Sequence, residues 1–301
     1  TCVAHRSRSA ADPRARARLT IFDAMNPEGI LHHPTVFHLG PIELTGFGLA
    51  VLAAFAISQI ICQREFWRRG QDAEADAMPD IVMAALVGTL IGAKTYYVVL
   101  TGDPAAFFSR GGFVFWGGFI GSVALCWATI KYKKLNFMRV ADVAGIAIAG
   151  GYSVGRSGCW AVGDDYGHPW NSPFAARFPE GAPPSTVSVM SSQFGVTFPE
   201  GTPPDLVVSV HPTQLYEVIL GFVMFYVLWR LRKHTHREGW LFGVWCLLAG
   251  VERFIVEFFR FRDDQTTAGL TSAQIIALTV FAIGLGILAT RRGQTPRPAG
   301  A

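Results

Sequence analysis

The chain is short of charge. Only 16% of its 301 residues are Asp, Glu, Lys or Arg, against roughly 25% in typical soluble domains. Half are hydrophobic, and the charges cluster between long apolar runs. This excludes an ordinary soluble domain and reads as a polytopic membrane protein. Cysteine is scarce too. Cys2, Cys62, Cys126, Cys159 and Cys246 are odd in number, scattered, and lack metal-ligand spacing. They support neither a disulfide framework nor a zinc site, so no metal or cofactor is expected. Cys62, Cys126 and Cys246 lie in apolar runs and read as core residues. The net charge of +4 is modest, and the basic residues fall mainly in short loops, so no nucleic-acid partner is expected. Residues 1–24 carry Arg6, Arg8, Arg14, Arg16 and Arg18 but no apolar core, which excludes a secretory signal there. They read as a disordered tail or a mis-assigned start, with Met25 as the natural first residue.

What is present is a series of seven apolar runs, roughly residues 42–62, 79–100, 113–130, 140–154, 212–231, 240–259 and 271–290. Each is near the ~20 residues that cross a bilayer as helix. Lys and Arg follow the first, third, fifth and seventh runs: Arg64, Arg68 and Arg69; Lys131, Lys133 and Lys134; Arg230, Arg232, Lys233 and Arg237; Arg291 and Arg292. Cytoplasmic loops are the positive ones. The expected fold is therefore an all-α integral membrane protein, a seven-transmembrane-helix bundle with a periplasmic N-terminus and a cytoplasmic C-terminus. Residues 25–301 are expected to form a single membrane domain, with a periplasmic loop at about 168–210. That loop repeats itself, as Phe178-Pro-Glu-Gly-Ala-Pro-Pro and Phe198-Pro-Glu-Gly-Thr-Pro-Pro. Its Pro and Gly predict turns rather than a folded domain, serving either as a lid or as a mobile insertion.

The stretch from Gly150 to Gly167 organises the rest. It sets Arg156, Asp164, Asp165 and Tyr166 among closely spaced glycines, with apolar sequence on both sides. An ionisable group at membrane depth is costly and marks a candidate site. Arg156 reads as the holder of an anionic group, or alternatively as an Arg reaching lipid headgroups from a helix end. Four further constellations carry chemistry. His211-Pro-Thr-Gln-Leu-Tyr-Glu217 puts Pro212 at a helix start, with Gln214, Tyr216 and Glu217 entering the membrane. Glu252-Arg-Phe-Ile-Val-Glu-Phe-Phe-Arg260 spaces Arg253, Glu257 and Arg260 on one helical face. A structural ion pair and an anion site both fit, and the spare positive charge favours the anion site. Gly111-Gly-Phe-Val-Phe-Trp-Gly-Gly-Phe-Ile-Gly121 predicts close helix packing. Gly92-Ala-Lys-Thr-Tyr-Tyr97 adds a second intramembrane cation, Lys94. Together these groups fit an anionic phospholipid near the non-cytoplasmic end of the bundle.

With these residues the chain resembles the prolipoprotein diacylglyceryl transferase family over nearly all of residues 37–290. The resemblance rests on Gly40-Pro-Ile, Gly92-Ala-Lys, Gly111-Gly with Gly117-Gly, Gly155-Arg-Ser-Gly158, the His211 to Glu217 run, and Arg253 to Arg260. It implies a bacterial inner-membrane, multi-pass enzyme. Such an enzyme moves the diacylglyceryl group of phosphatidylglycerol onto the thiol of a lipobox cysteine in a prolipoprotein signal peptide and releases glycerol phosphate. The implied catalytic residues are His211, Arg253 and Asp164. The implied phosphatidylglycerol-binding residues are Arg156, Arg260, Glu257, Gln214 and Tyr216. The chain departs from the family at Trp116, where a His with a base role is usual. It departs also at Cys159 and Val162, each in place of Asn, at Asp164, one methylene shorter than usual, and at Phe47, in place of Tyr. The phosphate grip is retained and His211 becomes the candidate base. A phospholipid-binding protein without transferase activity stands as the alternative.

Overall fold

The structure is a computed structural model and describes residues 29–40, 42–109, 112–261 and 269–293. Residues 1–24, expected to be a tail or a mis-assigned start, and Gly111 lie outside the described residues. The elements in order are β1 (Ile30–Leu31), β2 (Val36–Leu39), β3 (Ile42–Thr45), α1 (Gly46–Arg68), α2 (Asp72–Thr101), a short 3₁₀ turn (Pro104–Phe108), α3 (Phe115–Tyr132), α4 (Phe137–Val162), β4 (Ala176–Arg177), α5 (Val187–Phe194), α6 (Thr213–Leu231), α7 (Trp240–Val256) and α8 (Ser272–Thr290). Eight α-helices are therefore described. Five of them are long and apolar enough to cross a membrane: α1, α2, α4, α6 and α8. Helix α7 has 17 residues, and α3 interrupts its apolar run with Gly117, Gly118, Gly121 and two Trp residues. The protein is thus a mainly helical, multi-pass membrane protein.

Three stretches differ from the sequence reading. Residues 42–45 do not begin the first helix. They form β3, antiparallel to β2, after a turn in which Gly40 takes a left-handed φ of +62°. Pro79 does not start the second helix either. Helix α2 starts at Asp72 and carries Pro79 in its interior, with Asp72 and Glu74 in the first turn complementing the helix dipole. The loop after α4 is more than turns. It contains α5, capped by the Thr186 side chain, and it packs Phe178, Val187, Met190, Val208 and Val210 with Tyr166 into an apolar cluster.

The described residues divide into two compact units. One comprises those of Thr1–Ala50, Gly155–Ile219 and Glu252–Ala277; the other comprises Val51–Val154, Leu220–Val251 and those of Leu278–Ala301. In the second unit the predicted close packing is present between α2 and α3. A Cβ on Gly92 would come within 2.2 Å of the Gly117 carbonyl oxygen, and one on Gly121 within 2.3 Å of that of Gly88. Small residues let two backbones meet in this way. Lys94, buried in the same unit, donates to the Ser109 carbonyl at 2.5 Å and lies over the Phe113 ring.

Candidate active site

The site lies in the first unit and starts at the end of α4. Gly163 ends this helix with φ +68°. Its N–H reaches the Trp160 carbonyl, and the Asp164 N–H reaches that of Cys159, both at 3.0 Å. This is the glycine closure that satisfies the last carbonyls and reverses the chain. The next residue, Asp165, is also left-handed, at φ +61°. An aspartate tolerates that region better than most residues, and the Asp164 carboxylate accepts its N–H at 2.7 Å. The reversal carries Asp165 back alongside α4 to Arg156.

Three guanidinium groups converge here. Arg156 donates to Asp165 at 2.8 Å and also to Glu217. Arg260 donates to the other Asp165 oxygen at 2.9 Å and lies 3.8 Å from Glu217. Arg253 lies 3.7 Å from Glu217 and 2.8 Å from Glu257. Glu217 is therefore the hub, buried at 1% exposure and flanked by all three arginines. The Asp165 carboxylate bridges Arg156 and Arg260, one oxygen to each. Its own burial acts to raise its pKa, but Arg260 and Arg156 outweigh that and hold it at about 2. Burial and the neighbouring Asp165 instead raise the Asp164 carboxyl. A cavity of about 300 Å³ opens beside this pair, lined by Asp164, Asp165, Tyr166, Phe194, Arg260 and Phe261 among others.

The remaining predicted residues support this arrangement from the start of α6 and the end of α7. Gln214 is fully buried and donates to the Asp164 carbonyl at 2.5 Å. Thr213 donates to the Asp165 carbonyl at 2.6 Å. The two bonds tie the α6 start to the turn after α4. Glu257 accepts from Thr271 at 3.0 Å as well as from Arg253, so it orients that arginine. His211 stacks on Trp170 with ring centres 4.3 Å apart, and its Nδ1 lies 3.1 Å from the Tyr216 hydroxyl. Burial first, then His168, lowers the His211 pKa to about 4. The Cys159 sulfur is buried 3.5 Å from Arg156. Gly158 brings α4 against α1, where a Cβ would meet Ala50 at 2.7 Å and the Phe47 backbone at 3.2 Å.

All eight predicted site residues thus fall in one unit, and Arg156, Arg253, Arg260 and Glu257 form a single ion network. Two partners were not in the predicted set: Asp165 and Glu217. Glu217 had a signal in the sequence, since a carboxylate inside an apolar helix must find cations. The expected spare positive charge is not spare, because Glu217 and Asp165 neutralise it. Trp116 lies in the other unit, half exposed, with Phe115 and Phe119 around it.

Known proteins resemble this chain over most of its length. The sequence profile of the family described as prolipoprotein diacylglyceryl transferase matches residues 34–290. A phosphatidylglycerol–prolipoprotein diacylglyceryl transferase of Xanthomonas oryzae pv. oryzae (strain PXO99A) is 31% identical over 273 residues, covering 86% of this chain and 91% of its own. A protein of the same name from Lysinibacillus sphaericus (strain C3-41) is 28% identical, covering 86% and 92%. Another, from Geobacter sulfurreducens (strain ATCC 51573 / DSM 12127 / PCA), is 28% identical, covering 87% and 97%. With this match and these relatives, a membrane chain whose three arginines meet at one buried carboxylate belongs to the prolipoprotein diacylglyceryl transferase family.

Proposed function

We propose that the protein transfers the diacylglyceryl group of phosphatidylglycerol to the thiol of a lipobox cysteine in prolipoprotein signal peptides. It does so in the bacterial inner membrane, as a seven-span bundle with the N-terminus in the periplasm, the cytoplasmic C-terminus following from the Lys/Arg pattern of the loops. Residues 168–210 then lie outside, next to the site. The observation that carries the reading is the Asp165 carboxylate bridging Arg156 and Arg260. Two oxygens held by two guanidinium groups is the geometry of a bound phosphodiester. The lipid phosphate takes the position that Asp165 fills, with Arg253 held beside Glu217 by Glu257.

In the reaction the thiolate sulfur attacks the glycerol carbon that carries the phosphate ester. A C–S bond forms, the C–O bond breaks, and its electron pair leaves on glycerol phosphate, whose charge the arginines stabilise. The thiol proton goes to His211. With a pKa of about 4, His211 is neutral at pH 7 and free to accept. Its lowered pKa makes it a weaker base than an ordinary imidazole. The arginine field must therefore also lower the thiol pKa. Asp164 fixes the Asp165 turn, Gln214 holds Asp164, and Glu257 orients Arg253.

The resemblance supports a second reading, a phospholipid-binding protein without transfer activity, because it puts Trp116 where the family usually has His. Phosphatidylglycerol labelled in its headgroup glycerol separates the two. Thiol-dependent release of labelled glycerol phosphate supports transfer, and binding without release supports the alternative.

A further inference from the structure

The second unit holds a cavity of about 550 Å³ that the transfer chemistry does not use. It is bounded by the end of α1 and the start of α2 on one side, and by the α6–α7 connection on the other. Arg68, Arg69, Arg232 and Lys233 line it, with His234 and His236. Three of these cations share one carboxylate. Glu65, buried at 2% exposure, accepts from Arg68 at 2.5 Å and from Arg69 at 2.8 Å, with Arg232 at 3.6 Å. The lining carboxylates are committed elsewhere. Asp142 accepts the Gly239 and Phe242 N–H groups at 2.7 and 2.8 Å, at the head of α7. Glu238 binds Arg139 at 2.7 Å. The wall therefore carries more positive charge than Glu65 can neutralise.

The donors are also fixed in place. The Arg232 guanidinium lies 3.8 Å over the Trp229 ring and donates to the Trp229 carbonyl at 2.8 Å. Stacking of this kind pre-orients the planar fork for an oxyanion. Among the described residues, His234 Nδ1 in the wall has no protein hydrogen bond, and in its N–H tautomer it can donate to an anion. Burial, with Arg69 and His236 adding to it, lowers the His234 pKa to about 4, so His234 offers a neutral N–H rather than charge. Basic pockets of this type between membrane helices take anionic headgroups.

We infer that this cavity is a second phosphate-binding site, built by Arg68, Arg69, Arg232 and Lys233 with His234, for the phosphate of an anionic phospholipid or for free phosphate. On the orientation proposed above it opens to the cytoplasmic leaflet, where anionic headgroups are at hand.

The test uses full-length protein in detergent and the double variant Arg68→Gln/Lys233→Gln, which leaves Glu65 paired with Arg69 and Arg232. One arm counts phosphatidylglycerol molecules retained in native mass spectrometry. The other compares melting temperature in inorganic phosphate and in chloride at equal ionic strength. A lipid count one lower in the variant, with at least about tenfold weaker rebinding, supports the site and assigns it to lipid. Stabilisation of the wild type by phosphate, absent in the variant, supports it and assigns it to the free ion. Equal lipid counts together with equal phosphate response overturn it. Should the double variant not fold, Lys233→Gln alone, at an exposed position, must weaken one of the two by about twofold or more, and no change overturns the proposal.

Discussion

Replacing Arg156 by lysine separates charge from geometry at the proposed phosphate position. The wild-type guanidinium reaches Asp165 through one nitrogen and Glu217 through the other. A lysine keeps the positive charge for Glu217 but offers a single ammonium in place of the fork. Hydrogen bonds to charged groups contribute about 1.5–3 kcal/mol each. Losing one prong to the phosphate should thus cost about 10- to 150-fold in kcat/KM. Arg156→Ala is the less informative change. It leaves Glu217 with Arg253 and Arg260 at 3.7 and 3.8 Å, and removing one partner of a buried pair costs about 3–5 kcal/mol in stability. The assay follows transfer from phosphatidylglycerol to a lipobox peptide across lipid concentrations, with thermal melting as the control for folding. Arg156→Lys with a melting temperature close to wild type and transfer within threefold of wild type would refute the phosphate assignment.

Three further outcomes follow from the geometry. Asp165→Asn removes the carboxylate that competes with phosphate for Arg156 and Arg260, so KM for phosphatidylglycerol should fall several-fold; a higher KM with unchanged folding would show that Asp165 orders the arginines instead. His211→Ala should lower the rate by ~10²–10⁴-fold, the usual worth of a general base. Because the base works in its neutral form, the wild-type rate should show no break near pH 6.5 from this group and should fall tenfold per unit only below pH about 4; a break at 6.5 that disappears in His211→Ala would contradict its buried state. Gly92→Val should abolish stable insertion or sharply lower the melting temperature, since its Cβ would meet the Gly117 carbonyl at 2.2 Å; a normal melting curve would place α2 and α3 further apart.

Much of the architecture was legible because apolar runs and loop charges are strong signals. The ends of α3, α6 and α8 lie within two residues of the reading. The misses have local causes. The apolar run of the fourth helix ends near residue 154, yet α4 runs through to Val162, because helix packing against small residues outweighs their weak propensity. Residues 42–45 alternate apolar and polar over only four positions directly before an apolar helix, too short a stretch for periodicity to set them apart as a hairpin strand. The loop after α4 kept its Pro-rich appearance while hiding an apolar cluster drawn from distant positions. At the site, residue types pointed to an anion, but pairing is a matter of three-dimensional placement. That Asp165 would swing back to Arg156 depended on a left-handed turn at Gly163 and Asp165, which a run of Gly-Asp-Asp only permits.

Carbon–sulfur bond formation is tested most directly by the mass of the acceptor. Purified protein is incubated with phosphatidylglycerol and a synthetic lipobox peptide, and the peptide is weighed. The cysteine should gain one diacylglyceryl group, with glycerol phosphate released in equal amount, and Trp116→His should be neutral or faster. No adduct from the wild-type chain, with an adduct restored by Trp116→His, would contradict it and leave a phospholipid-binding protein on the transferase fold.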